Sequence, residues 1–276
     1  MWLQIVGKVR TRLSSPVNHF WSSALSVTSR GLTTSPLYYG NRALEMSLDF
    51  IDHNLYLHTT DGAVKVIGLF PRSVAEFYHE LLGALSALGI NVTINPMPQE
   101  VPDAVPCDED DVHDSYDAEY ANRFWRVLVQ ADRVLKVFRS RFVGKCSPVH
   151  FFWGSCDLAV TRFSGRRAPE RQGADWITRE AYSHEVSSCG FWPGSGPIQE
   201  AAFYAYAAPE PPGFREATIM PPSARYANPP GEFILSYDDV RLSADPDSVL
   251  LSFLQSTYEA AADLARWDRA ALERRA

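Results

Sequence analysis

The sequence predicts an α+β protein: two pseudo-symmetric units of helix, antiparallel strands and helix, derived from an internal duplication and packed as one compact body. Three observations lead there. Ser15-Pro-Val-Asn-His-Phe-Trp21 returns as Ser147-Pro-Val-His-Phe-Phe-Trp153, with five of seven residues identical. A second echo follows in the same order, since Pro71-Arg-Ser-Val74 and Pro246-Asp-Ser-Val249 each open a helical pattern. Between these landmarks lie short strand-like runs bracketed by helices, a pattern that favours antiparallel pairing with helices on one face over a doubly wound sheet. The expected domains are a first repeat over 1–94, a Pro-rich acidic linker over 95–119 and a second repeat over 120–276.

In the first repeat, Trp2, Ile5, Val6, Val9 and Leu13 recur as one face of a helix that Pro16 stops. Strands are expected at 25–28, 43–51, 54–59 and 64–69, with Asp52-His53-Asn54 and Asp61-Gly62 as turns. Ser73-x-x-Glu76 then forms a capping box for a helix whose Val74, Phe77, Leu81, Leu85 and Leu88 make the buried stripe, ended by Gly89. A last strand over 91–94 closes the repeat. Between Glu100 and Glu119 stand nine acidic residues and no Lys or Arg. Asp108-Glu-Asp-Asp111 lacks the alternating Asp pattern of a calcium loop and is expected to be a solvated acidic turn.

The second repeat opens with a long helix, in which Phe124, Leu128, Ala131, Leu135, Phe138 and Phe142 recur at three- and four-residue steps. Strands are expected at 150–153, 157–163, 182–188, 203–207 and 233–237. A loop carrying seven prolines from Pro209 to Pro230 is expected to act as a lid or belt. Asp245-Pro246 caps a final helix bearing Leu250, Phe253, Leu254, Thr257, Ala261 and Leu264.

With 276 residues, 46% hydrophobic and 21% charged, the chain has the composition of a globular protein that buries a core. The net charge of −7 argues against nucleic acid and anionic membrane as partners, because both demand a concentrated Lys/Arg footprint. No apolar run reaches the length of a membrane span and no signal peptide is apparent, so a cytoplasmic location is expected. The four cysteines include no Cys-x-x-Cys pair and are read as free thiols rather than a disulfide frame or zinc ribbon. Oligomeric state is not readable from the sequence.

The polar side chains that chemistry needs concentrate in the second repeat. Residues two apart on a strand share a face, so His150, His184, Tyr204 or Tyr206 and a carboxylate such as Asp157 can gather over one surface of the sheet. The candidate catalytic residues are His150, His184, Glu185, Tyr204 and Tyr206, because imidazole titrates near neutral pH and a carboxylate can fix its tautomer. His150, His184 and Asp157 are also a candidate set for a divalent Zn, Mn or Fe ion, although their spacing matches no compact ligand motif. Arg162 is the candidate clamp for a carboxylate or phosphate, with a pair to Glu185 as the alternative. Trp153, Phe191 and Trp192 are candidate substrate-binding rings, the last two in a glycine-rich loop, Gly190 to Gly196, at the mouth of a pocket. His19 and His53 serve as the contrast, His53 in a solvated turn and His19 one position out of register with His150.

Gly144-Lys-Cys-Ser-Pro-Val-His-Phe-Phe-Trp-Gly154, Leu158-Ala-Val-Thr-Arg-Phe-Ser-Gly-Arg166, Ala181-Tyr-Ser-His-Glu-Val186 and Phe203-Tyr-Ala-Tyr-Ala-Ala-Pro-Glu-Pro211 resemble signature stretches of a bacterial family known only as a domain of unknown function. The resemblance spans nearly the whole chain. It implies a short segment before Met1 in other members and supplies no activity. The expected function is that of a cytoplasmic enzyme acting on a small organic molecule, with a His/carboxylate cluster in an aromatic-lined pocket of the second repeat. The alternatives are a non-catalytic small-molecule binding or sensor domain, and a structural or interaction protein.

Overall fold

The computed structural model describes residues 1–274, which divide into two compact units. The first takes in residues 1–17, 21–129 and 151–155; the second takes in 18–20, 130–150 and the residues from 156 onward. Among the described residues no helix is long and apolar enough to cross a membrane.

The first unit begins with α1 (Trp2–Leu13), whose Ile5, Val6 and Val9 are buried as the periodicity requires. Six strands follow: β1 (Ser26–Val27), β2 (Gly31–Thr33), β3 (Leu37–Tyr39), β4 (Arg42–Asp49), β5 (Asn54–Thr59) and β6 (Val64–Gly68). They form an antiparallel sheet in the order β1-β2-β4-β5-β6, with β3 also paired to β4. Met46, Leu48, Leu55 and Leu57 point into its core, two residues apart on each strand. The turn between β5 and β6 places Gly62 at φ 87°, open to glycine at little cost. Helix α2 (Val74–Ala87) starts at the capping box, with Ser73 accepting from Glu76 N and the Glu76 carboxylate accepting from Ser73 N. Its Phe77 stacks on Trp2 of α1 at 4.8 Å.

One expectation fails here and another holds only in part. Residues 91–94 form no strand. Instead the following segment hydrogen-bonds to α1, where Lys8 Nζ donates to the carbonyls of Asn95 and Met97. The acidic segment is a turn that is solvated at Glu109 and Asp111 but not throughout. Asp110 is fully buried, accepting from the backbone N–H groups of Val112 and His113 and from His113 Nδ1, while its own carbonyl takes Ala75 N at the start of α2. One carboxylate in a charged run is therefore spent on orphan donors of the chain.

Helix α3 (Ala118–Ser140) and strand β7 (His150–Phe152) each contribute residues to both units. The second unit then adds β8 (Asp157–Arg167), α4 (Trp176–Ala181), β9 (His184–Trp192), β10 (Ala202–Ala208), β11 (Arg225–Ala227), β12 (Glu232–Ser236), α5 (Tyr237–Arg241), α6 (Pro246–Leu264) and α7 (Arg269–Leu272). Its antiparallel sheet runs β11-β12-β10-β9-β8. Asp245 caps α6 by accepting from Ser248 N, with Pro246 in the first turn, and Leu250, Phe253, Leu254, Tyr258 and Ala261 of α6 are buried. The proline-rich loop is a belt laid on that helix: Met220 N donates to Ser256 Oγ, and Phe214 packs edge-on against Phe233 of β12.

Both units run helix, antiparallel strands, helix, yet the echoing peptides differ in conformation. The first copy forms a 3₁₀ segment over Asn18–Ser23 in which His19 (φ 59°) and Phe20 (φ 61°) are left-handed, whereas the second contains β7. In the other echo, Ser73 is the N-cap of α2 while Ser248 lies inside α6, whose cap is Asp245.

Candidate functional site

One face of the second unit's sheet is polar. Ala159, Gly190, Tyr204 and Ile234 stand opposite one another across four strands, and Thr161, Ser188 and Tyr206 form the next row. Tyr204 Oη donates to Asp157 at 2.5 Å. It reaches that carboxylate by passing over Gly190, where a Cβ would stand 2.7 Å from the same hydroxyl. The Tyr204 and Tyr206 rings stack at 6.2 Å, Tyr206 Oη meets Tyr182 Oη at 3.0 Å, and Thr161 and Ser188 share a hydrogen bond of 2.9 Å. Burial pushes both phenols, Tyr204 and Tyr206, well above their ordinary range, so they stay protonated donors. Glu232, at the start of β12, is pushed up to about 7 by burial and then by the charge of Asp157.

At one end of this face the chain gathers three bases. Lys145 Nζ lies 2.6 Å from His19 Nε2, and the imidazoles of His19 and His184 are 5.7 Å apart, edge to face. The other nitrogen of His19, Nδ1, is 3.2 Å from the carbonyl oxygens of both Glu180 and Ala181. Carbonyls only accept, so Nδ1 carries the proton, and in the neutral ring Nε2 is left as the acceptor facing the ammonium of Lys145. The left-handed backbone at His19 and Phe20 aims this ring, and non-glycine residues held there cost of order 1–3 kcal/mol, which surrounding structure must offset. Phe163 packs against His19 at 4.5 Å and lies 5.0 Å beneath Lys145 Nζ. His184 Nδ1 is 3.1 Å from Ser183 Oγ, and Arg167 stands directly across the strand pair from His184.

All three groups are shifted toward their neutral forms. Desolvation first, then the charge of Lys145, lowers His19 and His184, and Arg167 adds to the effect on His184. Desolvation lowers Lys145. The cluster is open on one side, with Lys145 and Arg167 exposed, His184 half-buried and His19 buried. Such a set can hold or pass a proton near neutral pH.

The residues singled out in the sequence are distributed unevenly. His184, Tyr204, Tyr206 and Asp157 share the polar face. His150 is buried at the start of β7, and the imidazole beside His184 is that of His19. Glu185 points the other way and pairs with Arg166 at 2.7 Å, so the expected Arg162–Glu185 pair does not form. Arg162 is 1% exposed, donates to the Phe138 carbonyl and sits 3.5 Å from the Phe138 ring and 4.3 Å from that of Tyr258. That is a core cation rather than an exposed clamp. Trp153 belongs to the first unit, donating to Ser23 O at 2.9 Å, with its ring against Gly7. Gly190, Phe191 and Trp192 are not loop residues but the end of β9, and Phe191 is a core ring against Phe203 and Tyr237. A cavity of about 350 Å³ in this unit is lined by Val186, Pro209, Pro211, Leu264 and Trp267 together with Glu185, a wall of mostly aliphatic side chains with Trp267 as its aromatic member.

His150, His184 and Asp157 are not assembled into a ligand set: among the described residues no group of three or more His, Cys, Asp or Glu side chains is placed to hold a metal ion. The cysteines are free thiols, and burial pushes Cys146 up to about 11, away from the thiolate form a nucleophile needs. His19 and Lys145 escaped the sequence reading as a pair. Their signal was there, since each stands beside one copy of the repeated Ser-Pro-Val peptide, but nothing local announces that residues 126 apart will meet.

Comparison with curated proteins found no match, and comparison with solved structures found none. A family model nevertheless matches residues 1–274, and the chain belongs to that family of unknown function, DUF5996.

Proposed function

We propose that this protein is an enzyme acting on a small organic molecule by general acid–base catalysis at the His19–Lys145–His184 cluster. The observation that carries the proposal is the 2.6 Å approach of Lys145 Nζ to His19 Nε2, with His19 Nδ1 committed to two backbone carbonyls. That geometry gives each group one role. His19 is the fixed acceptor that orients the amine, Lys145 is the exposed proton donor, and His184 is the second titrating base at the same opening. The Tyr182–Tyr206 hydrogen bond ties the turn before His184 to the sheet and so supports its position. The shared element order of the two units supports an origin by duplication, with His19 supplied by the first repeat and Lys145 and His184 by the second.

The test is to incubate the purified protein with a cell-derived metabolite mixture and follow every component by mass spectrometry. A compound consumed by the native chain and spared by Lys145→Ala and His19→Ala, both verified as folded by circular dichroism, supports the reading. Equal consumption by the variants, or binding of a component with no turnover, overturns it in favour of a non-catalytic binding domain.

A further inference from the structure

Around the same opening the side chains are cationic on one side and aromatic on the other. His19, Lys145 and His184 converge as described, and Arg167 joins them through its register position opposite His184. The charges that act on His184 from Lys145 and Arg167, and on His19 from Lys145 and His184, all have the same sign. A group that binds here gains most by being negative, because an anion relieves that repulsion while accepting hydrogen bonds from ammonium, imidazole and guanidinium together. Next to His19, Phe20 meets Trp176 edge-on at 5.3 Å. Trp176 is 60% exposed on the short helix α4, which buries none of its side chains. A large ring left in water beside a polar opening is the kind of surface that a flat apolar ligand covers.

We propose that Lys145, His184 and Arg167, with His19 holding the Lys145 amine in place, receive the anionic end, carboxylate or phosphate, of a small aromatic or apolar molecule whose body lies against Phe20 and Trp176. The inference names the substrate class for the cluster. It rests on the reading of that cluster as a ligand site and not on turnover.

The experiment is calorimetric titration of the full chain at pH 7 with four probes: phenyl phosphate, inorganic phosphate, phenylacetate and acetate. The expected result is that one phenyl probe binds about tenfold or more tightly than its bare anion, roughly the 1.4 kcal/mol that one well-covered ring provides. Whichever pair binds better identifies the head group as phosphate or carboxylate. Lys145→Met lowers affinity for both members of that pair, while Trp176→Ala removes only the advantage of the ring. Arg167→Ser, an exposed position, gives the Lys145 reading again should Lys145→Met fail to fold. No binding of any probe at millimolar concentration, or affinities unchanged in the Lys145 and Arg167 variants, overturns the proposal. Binding of the phenyl probes without metabolite turnover would uphold the receptor and defeat the enzyme, whereas turnover of a neutral metabolite with no probe bound would do the reverse.

Discussion

The hydroxyl of Tyr204 reaches the Asp157 carboxylate at 2.5 Å by crossing the one cross-strand position, Gly190, that has no side chain. The bond is buried and one partner is charged, which places it among the stronger single hydrogen bonds in a protein. Tyr204→Phe is expected to destabilise the chain by about 1.5–3 kcal/mol, read as a lower urea midpoint at unchanged slope. An unchanged midpoint would mean that Asp157 is satisfied without Tyr204.

Gly190 tests the same arrangement from below. A Cβ there meets the Leu158 carbonyl as well as Tyr204, and one of those contacts is backbone that cannot swing aside. Gly190→Ala should therefore cost roughly 1–3 kcal/mol, and adding Tyr204→Phe should not restore it. Full restoration in the double variant would show that the hydroxyl alone was in the way.

Glu232 makes stability depend on pH in a stated direction. Its folded value, about 7, lies above its ordinary 4.5, so the native state holds a proton that the unfolded chain has already lost. The resulting stability is fully present below about pH 4.5 and is lost as pH rises through 7, by up to about 3 kcal/mol in the absence of relaxation. Glu232→Gln should flatten that fall between pH 5 and 8 in urea titrations. A native chain that shows no such fall would place Glu232 in better contact with water.

Lys145 should acylate more readily than an ordinary surface lysine. Desolvation lowers it while the residue stays exposed, whereas Lys136 is exposed but paired with Asp132 at 2.5 Å. Limiting acetic anhydride at pH 8, followed by peptide mass spectrometry, should label Lys145 ahead of Lys136. The opposite order would show that the contact with His19 holds the ammonium form.

Arg162 should behave as a core residue. Enclosed by Phe138, Phe142 and Tyr258, Arg162→Lys loses the planar fork that donates to the Phe138 carbonyl, at an expected cost of about 1–3 kcal/mol, with no change in binding of the four anionic probes. Weakened probe binding in a folded variant would return Arg162 to the site.

Periodicity and caps carried most of the architecture. The α2 stripe of Val74, Phe77, Leu81 and Leu85, the Ser73 capping box and the Asp245 cap all stand where local pattern put them, because each is decided within a few residues. The end of β9 was hidden for an instructive reason. Glycine signals a loop to a reader of propensities, but Gly190 is in the strand because Tyr204 needs the empty space above it. Asp110 was misread because a charge run looks solvated until one member finds buried donors. On the polar face, alternation sorted Tyr204, Tyr206, Asp157 and His184 correctly. It had no means of bringing in His19, whose position depends on a left-handed backbone and on carbonyls from α4.

The two ends of the Lys145–His19 contact lie 126 residues apart, and the carbonyls that hold His19 lie 161 and 162 residues beyond it. Such a contact closes late, since loop entropy is lost before any of its partners is in reach. On the ribosome, His19 emerges long before α4 exists, and a chain cut short ahead of Glu180 carries the imidazole without the two carbonyls that hold its Nδ1. Capture of a ligand at this opening would thus report that synthesis and folding of the whole molecule are finished, which makes the site its own check on truncated or half-folded copies.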